Sequence, residues 1–178
     1  MTKTGGFFRD LLRFIILTVV IVVPIRAYVA QPFIVSGVSM VPSFEDGEYL
    51  VIDELSYHFR EPVRGEVIVF RYPKDPSKFF IKRVIGLPGE TIKIAGGQVV
   101  IKMGETEFTL NEPYITDHNL GAAEETLDKG QYFVLGDNRS MSLDSRAWGA
   151  VPEDNIKGRV LVRLFPLDRI TLFSKSSS

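Results

Sequence analysis

From Tyr49 onward the chain consists of short apolar runs, and this pattern limits the folds that it can adopt. The runs are rich in β-branched and aromatic residues and are separated by Gly, Pro and polar turn residues at intervals of about ten residues. Such runs are long enough for strands and too short for helices. The predicted strands are Tyr49–Asp53, Glu66–Tyr72, Phe79–Gly86, Thr91–Ile94, Gln98–Lys102, Gln131–Leu135 and Gly158–Phe165. We therefore expect a mostly β fold of coiled antiparallel sheets with a barrel-like outline.

The N-terminal part has a different pattern. Residues Leu11–Phe33 are mostly apolar, although the strictly uncharged part, Phe14–Ile25, is short for a membrane span. Arg13 and Arg26 flank that part, and both can extend their charged ends toward the interface, which lengthens the effective span. We expect one N-terminal transmembrane helix that stays attached as an anchor.

Two alternatives to the anchor stay open. A cleaved signal peptide also has a charged start and a short apolar region, but Tyr28 and Ala30 fit its cleavage site poorly. A buried core helix would not usually be apolar on all sides.

Charges before the apolar segment predict the topology of an anchored chain. Lys3, Arg9 and Arg13 place the N-terminus in the cytoplasm by the positive-inside rule. We expect residues 1–30 to form the cytoplasmic N-terminus and anchor, residues 31–172 an extracytoplasmic β-rich domain, and residues 173–178 a disordered tail. The expected location is the plasma membrane or an equivalent inner membrane, with a single pass and the lipid bilayer as a partner.

Composition excludes several classes of function. The 178 residues contain no cysteine, which excludes disulfides, thiolate metal sites and a cysteine nucleophile. His58 and His118 are far apart and have no metal-ligand spacing around them, so we expect no metal and no cofactor. A net charge of −1 gives no sign of a nucleic-acid partner.

One charged residue interrupts a predicted strand. Lys82 lies in the apolar run Phe79–Gly86, and alternation puts it on the same face as Phe80 and Val84. Burial there would lower the pKa of its amine and make it a base. Ser39, in a short turn bounded by Gly37 and Pro42, is a candidate nucleophile for that base. The alternative is a strand lysine that extends to solvent.

Four segments in order carry a family resemblance. They are Ser36–Pro42, Arg64–Phe70, Ile81–Gly89 and Gly136–Arg146. Together, behind an N-terminal apolar segment, they resemble the bacterial type I signal peptidases (leader peptidases), which are membrane-anchored serine proteases with a Ser–Lys dyad. The resemblance extends from the anchor to about Phe165.

The resemblance implies roles for five residues of this chain. Ser39 resembles the nucleophile, and its backbone N–H resembles one oxyanion donor. Lys82 resembles the general base, and Ser142 resembles the serine that orients the lysine amine. Asp144 and Arg146 resemble a charged pair that stiffens the loop around the site.

Two positions depart from the pattern of some family members. Gly37 stands where some members have a serine whose hydroxyl supplies a second oxyanion contact, so that donor is absent here. Met141 stands where the family often has an asparagine, which leaves the role of this position open.

The function that the resemblance implies is endopeptidase cleavage of signal peptides, with small residues at substrate positions −1 and −3. The expected partners are preproteins emerging from the secretion machinery. Apolar residues near the dyad are the predicted pocket walls: Val35, Met40, Phe44 and Ile81. An extended substrate could pair with a strand edge.

Two other functions stay open. A Ser–Lys self-cleaving regulator has a similar catalytic core, but such proteins carry a DNA-binding helical domain or a soluble arm in place of an anchor. A membrane-tethered binding module without chemistry would make Lys82 an ordinary strand residue.

Overall fold

A computed structural model describes residues 4–24, 31–118 and 121–173 of the chain. It contains helices α1 (Thr4–Pro24) and α2 (Ser145–Trp148). Its strands are β1 (Gln31–Ile34), β2 (Tyr49–Asp53), β3 (Val67–Tyr72), β4 (Asp75–Gly86), β5 (Thr91–Ala95), β6 (Gln98–Met103), β7 (Thr106–Thr109), β8 (Ala123–Thr126), β9 (Gln131–Leu135), β10 (Val151–Pro152), β11 (Ile156–Phe165) and β12 (Thr171–Leu172). The mostly β prediction is confirmed.

The apolar side chains of helix α1 are exposed over residues 7–20, with Phe8, Leu12 and Ile16 each more than half accessible. Within residues 4–24, 31–118 and 121–173, no helix is both long and apolar enough to cross a membrane. The span predicted over Leu11–Phe33 includes residues 25–30, which lie outside the described residues.

The strands form two antiparallel sheets. The larger one has the order β1-β2-β11-β3-β4-β9-β10, with β12 paired to β11. In the described part of the chain this order does not return to β1, so the sheet is open and the barrel-like part of the expectation is wrong. Register shifts within β4 and β11 bend the sheet, because each adds an unpaired residue on one strand.

The smaller sheet has the order β7-β6-β5-β8, and Gly96 and Gly97 form the turn between β5 and β6. Its β8 lies inside the polar segment Asn111–Leu127. Cross-strand pairing with β5 compensates for a sequence of low strand propensity there, including Glu124 and Glu125.

One buried cluster holds the turn between β1 and β2 against the larger sheet. Met40 and Phe44, from the turn between β1 and β2, are buried with Leu50 and Val69. Phe173, at the start of the predicted disordered tail, packs against Phe44 with ring centroids 5.0 Å apart. Residues 174–178 of that tail lie outside the described residues.

Candidate active site

Ser39 and Lys82 come together although they lie on different elements. Ser39 is in the turn between β1 and β2, and Lys82 is near the end of β4. The Nζ atom of Lys82 lies 2.7 Å from Ser39 Oγ and donates to the carbonyl oxygen of Ile81 at 2.9 Å. The two groups are therefore close enough for direct proton transfer.

Lys82 is buried, as the alternation of its strand predicts, and only 4% of it is accessible. Burial lowers the pKa of its amine to about 8, while the charges of Asp144 and Asp137 act in the opposite direction. The Phe80 ring also lies 5.4 Å from Nζ. An amine with this pKa exists partly as the free base near neutral pH.

The turn that carries Ser39 is held by its neighbours. Asn138 donates from its backbone N to Ser39 O at 3.0 Å and from Nδ2 to Val38 O at 3.1 Å. Gly37 has a φ of 90°, which favours glycine, and its N–H donates to Asp46 Oδ1 at 2.7 Å. The backbone conformation thus gives one reason for glycine at this position.

Ser142 lies beside the turn that carries Ser39, the nucleophile turn. It belongs to the loop between β9 and α2, the 136–144 loop. A methyl group on Gly136 would meet Ser142 Oγ at 2.2 Å and Ser39 O at 2.4 Å. Ser142 Oγ is buried and makes no hydrogen bond to any described residue. The predicted contact with the lysine amine is not formed in this structure, and the orienting role of Ser142 stays a prediction.

Asp144 and Arg146 form the ion pair that the sequence suggests. Arg146 donates from Nε to Asp144 Oδ1 at 2.7 Å and from Nη2 to Asp144 Oδ2 at 2.8 Å. Asp144 also accepts from Gly136 N at 3.1 Å and precedes α2 as its N-cap. This carboxylate therefore ties both ends of the 136–144 loop together.

A second ion pair at the site was not predicted. Arg83 donates to Asp137 from Nε at 2.8 Å and from Nη2 at 2.6 Å. The side chain of Arg83 is only 13% accessible, so the pair is largely shielded from water. The pair joins β4 to the 136–144 loop directly beside the dyad.

The dyad opens into a cleft of about 300 Å³. Among the predicted pocket residues, Val35 and Ile81 line it, whereas Met40 and Phe44 lie in the core. The turn directs their side chains inward because Phe44 N donates to Met40 O in a helical turn. The other apolar wall residues are Phe33, Ile34, Val38, Leu50, Val69, Phe79, Phe80, Met141 and Leu143.

Two strand edges face each other across this cleft. Among the described strands, β1 is the last of its sheet and pairs only with β2. β4 pairs with β9 only from Arg83 onward, so in the described residues Phe79–Lys82 are paired on one side alone. The rings of Phe33 and Phe79 touch across the gap, with centroids 5.6 Å apart. An extended peptide has free backbone groups to pair with on both sides.

No group of three or more His, Asp or Glu residues in the described ranges is arranged to hold a metal ion. His58 and His118 are exposed, as expected for surface histidines. The chemistry available at the cleft is that of a serine hydroxyl and a buried amine.

Comparison with known proteins gives consistent matches. The family model for signal peptidases, peptidase S26, matches residues 8–165. A signal peptidase I of Leptolyngbya laminosa is 42% identical over 164 residues, which cover 86% of this chain and 78% of the relative. A probable signal peptidase I-1 of a Synechocystis species is 38% identical over 173 residues, 92% of this chain and 85% of the relative. Signal peptidase I V of Bacillus subtilis is 35% identical over 158 residues, 80% and 90% of the two chains.

Proposed function

The chain belongs to the signal peptidase family, peptidase S26, and we propose that it cleaves signal peptides from exported preproteins with Ser39 as nucleophile and Lys82 as general base. Membership of this family makes the protein a serine endopeptidase and a hydrolase. The single observation that carries the proposed dyad is the 2.7 Å distance between Lys82 Nζ and Ser39 Oγ, at an amine that is almost fully buried.

Acylation begins with proton transfer. The neutral amine of Lys82 takes the Ser39 hydroxyl proton as Oγ attacks the carbonyl carbon of the scissile peptide bond. The backbone N–H of Ser39 stabilises the oxyanion that forms, in the role that the family resemblance gives it. Lys82 then donates its proton to the leaving amine, and the peptide C–N bond breaks.

Deacylation repeats these steps with water. Lys82 takes a proton from the water that attacks the acyl-enzyme, and Ser39 leaves with the proton restored. Ser142 would orient the amine between the two half-reactions. Its free buried hydroxyl is available for this contact, and catalytic hydrogen bonds often close only in the substrate complex.

The substrate is an extended segment of a preprotein lying between β1 and β4. Its backbone pairs with the free strand edges, and its side chains alternate between the cleft and solvent. Val35 and Ile81 form part of the apolar wall beside the dyad, which suits small apolar side chains of the substrate. This arrangement supports the expected preference for small residues at −1 and −3.

We further propose that residues 1–30 anchor the protein in the plasma membrane, or an equivalent inner membrane, with the β domain over 31–172 outside. The exposed apolar side chains of α1 support contact with lipid. In the β domain, Ile34, Tyr49 and Phe165 are paired across β1, β2 and β11 and are all exposed. This apolar row begins at the cleft and suits the surface of a bilayer.

Cleavage of a purified preprotein in detergent, followed by sequencing of the new N-terminus, tests the proposal. The wild-type protein should give one new N-terminus, while Ser39→Ala and Lys82→Ala should give none. Equal cleavage by these variants would remove the dyad from its role.

The same experiment separates the other functions. A binding module would bind preprotein equally well with either substitution and cleave none. A self-cleaving regulator would cut its own chain and leave the added preprotein intact.

A further inference from the structure

A buried ion pair between the 136–144 loop and the segment after β7 has no part in the chemistry described so far. Arg139 and Glu112 have side chains that are 0% and 5% accessible. Arg139 donates from Nη1 to Glu112 Oε2 at 3.0 Å, and from Nη2 to Glu112 Oε1. Tyr114 OH donates to the same Oε1 at 2.8 Å. Glu112 lies on the connection between β7 and β8, so the pair links the smaller sheet to the 136–144 loop.

Stability alone is a poor explanation for this pair. Removing two charges from water is costly, and a buried ion pair can often be replaced by apolar side chains of similar size without loss of stability. A geometric role is therefore worth testing, and the remaining contacts of Arg139 indicate one.

The third guanidinium nitrogen of Arg139, Nε, is connected to the dyad through the backbone of Gly136. Arg139 Nε donates to Gly136 O at 3.0 Å. Gly136 N donates to Asp144 Oδ2, so both polar groups of Gly136 are held. Its Cα lies directly against Ser39 O and Ser142 Oγ, with no space for a methyl group. A displacement of Gly136 would therefore displace the nucleophile turn and Ser142.

Glu112 sets the orientation of the arginine. A guanidinium presents its donors in a fixed plane, so a bidentate contact at Nη1 and Nη2 fixes the direction in which Nε points. Tyr114, from the same segment as Glu112, contacts the neighbouring ion pair. Its ring lies 4.0 Å from Arg83 Cζ and covers the Arg83–Asp137 pair.

We propose that Glu112 is a positioning residue for the dyad: it orients Arg139, which fixes Gly136 against Ser39 and Ser142. The proposal rests on the proposed function. It assigns to the segment between the two sheets a role in the rate of catalysis rather than in substrate binding.

The decisive variant is the full-length double substitution Glu112→Leu with Arg139→Met, which replaces the ion pair by apolar side chains. It should fold, with a melting temperature within about 5 °C of the wild type. Cleavage of a signal-peptide substrate should lose about 30-fold in kcat, while KM changes by less than about threefold, because geometry at the reacting atoms is what is lost. A folded double variant with kcat within about twofold of the wild type would overturn the proposal.

Glu112→Gln is the second variant, in case the double variant does not fold. It keeps one oxygen acceptor for Arg139 and Tyr114 but loses the charge, and kcat should fall by about tenfold with KM unchanged. Arg60→Lys is the matched control, since Arg60 also makes a bidentate pair, with Glu66, away from the 136–144 loop. It should leave kcat unchanged, and a Glu112→Gln variant that behaves like this control would contradict the proposal.

A second assay separates failure of this inference from failure of the proposed function. The substrate of this assay is p-nitrophenyl acetate. Ser39 Oγ attacks its carbonyl carbon, the ester C–O bond breaks, p-nitrophenolate leaves, and the serine proton passes to Lys82. The Glu112 and Arg139 variants should slow this Ser39-dependent acylation by a similar factor. If the wild type is acylated but cuts no preprotein, the proposed substrate is wrong while the positioning role is still measured by acylation.

Discussion

The basicity of Lys82 is set by its surroundings. Its amine is removed from water by Val84 and the apolar face of β4, and burial favours the uncharged form. Asp137 and Asp144 limit this effect, so the pKa stays at about 8 rather than falling further. Each of these carboxylates also forms an ion pair with an arginine, Asp137 with Arg83 and Asp144 with Arg146.

The pH dependence of cleavage should follow this pKa. Only the neutral amine accepts the Ser39 proton, so kcat/KM should rise about tenfold for each pH unit below about 8 and level off above it. A pH series with a peptide substrate measures this profile in the free enzyme. A limb centred near 6.5 would point to a histidine and would contradict the proposed base.

Lys82→Arg should reduce cleavage to the level of Ser39→Ala. The substitution keeps a positive charge, but arginine does not deprotonate in proteins and cannot accept the serine proton. Lys93→Arg, at an exposed position of β5, is the matched control and should keep full activity. Turnover by Lys82→Arg above the Ser39→Ala background would exclude Lys82 as the base.

At this scale the sequence predicts the reacting pair and the Asp144–Arg146 pair, but not the other ion pairs around the site. Lys82 stands out because a charge inside an apolar strand is unusual. Arg83 and Asp137 do not, since they lie 54 residues apart and each resembles an ordinary surface charge until the fold brings them together. Glu112 and Arg139, 27 residues apart, escape prediction for the same reason.

Among the elements, the 136–144 loop depends most on its ion pairs. Arg146→Ala would leave the fully buried carboxylate of Asp144 without its main partner, and we expect a loss of about 3 kcal/mol in the free energy of unfolding. Urea denaturation followed by circular dichroism measures this change. Lys78→Ala breaks the exposed pair with Asp75 and should leave the free energy of unfolding nearly unchanged, because exposed ion pairs contribute little. Equal effects of the two substitutions would mean that the loop does not depend on this pair.

The strands were predictable where their side chains alternate or are uniformly apolar. Tyr49–Asp53 and Gln131–Leu135 have the bounds that the sequence indicates. β1 and β8 were missed because neither has a strand pattern of its own. β1 contains Pro32 and continues an apolar segment, and β8 is acidic, so pairing with β2 and β5 determines their conformation.

For the whole molecule, the proposed division between anchor and β domain leads to a kinetic prediction. Removal of residues up to Tyr28 should leave a domain that cleaves peptides in detergent, because Ser39 and Lys82 both lie after that point. KM should rise, and kcat should stay within about tenfold, since contact with lipid contributes to capture of the substrate rather than to chemistry. Steady-state kinetics of the two proteins in the same detergent measure this difference. A kcat lower by several orders of magnitude at an unchanged KM would mean that the N-terminal segment shapes the dyad.

In the proposed binding mode, the free edges of β1 and β4 also limit how many residues of a client protein pair with the enzyme. Each edge at the cleft is about four residues long, which corresponds to about 13 Å of extended chain. Pro32 lacks a backbone N–H, which further reduces the ladder that β1 can offer. Residues of the client beyond this window make no contact with the ladder, so they are free to vary. With the proposed binding mode, a single enzyme would process many unrelated clients that share only a short stretch around the cut.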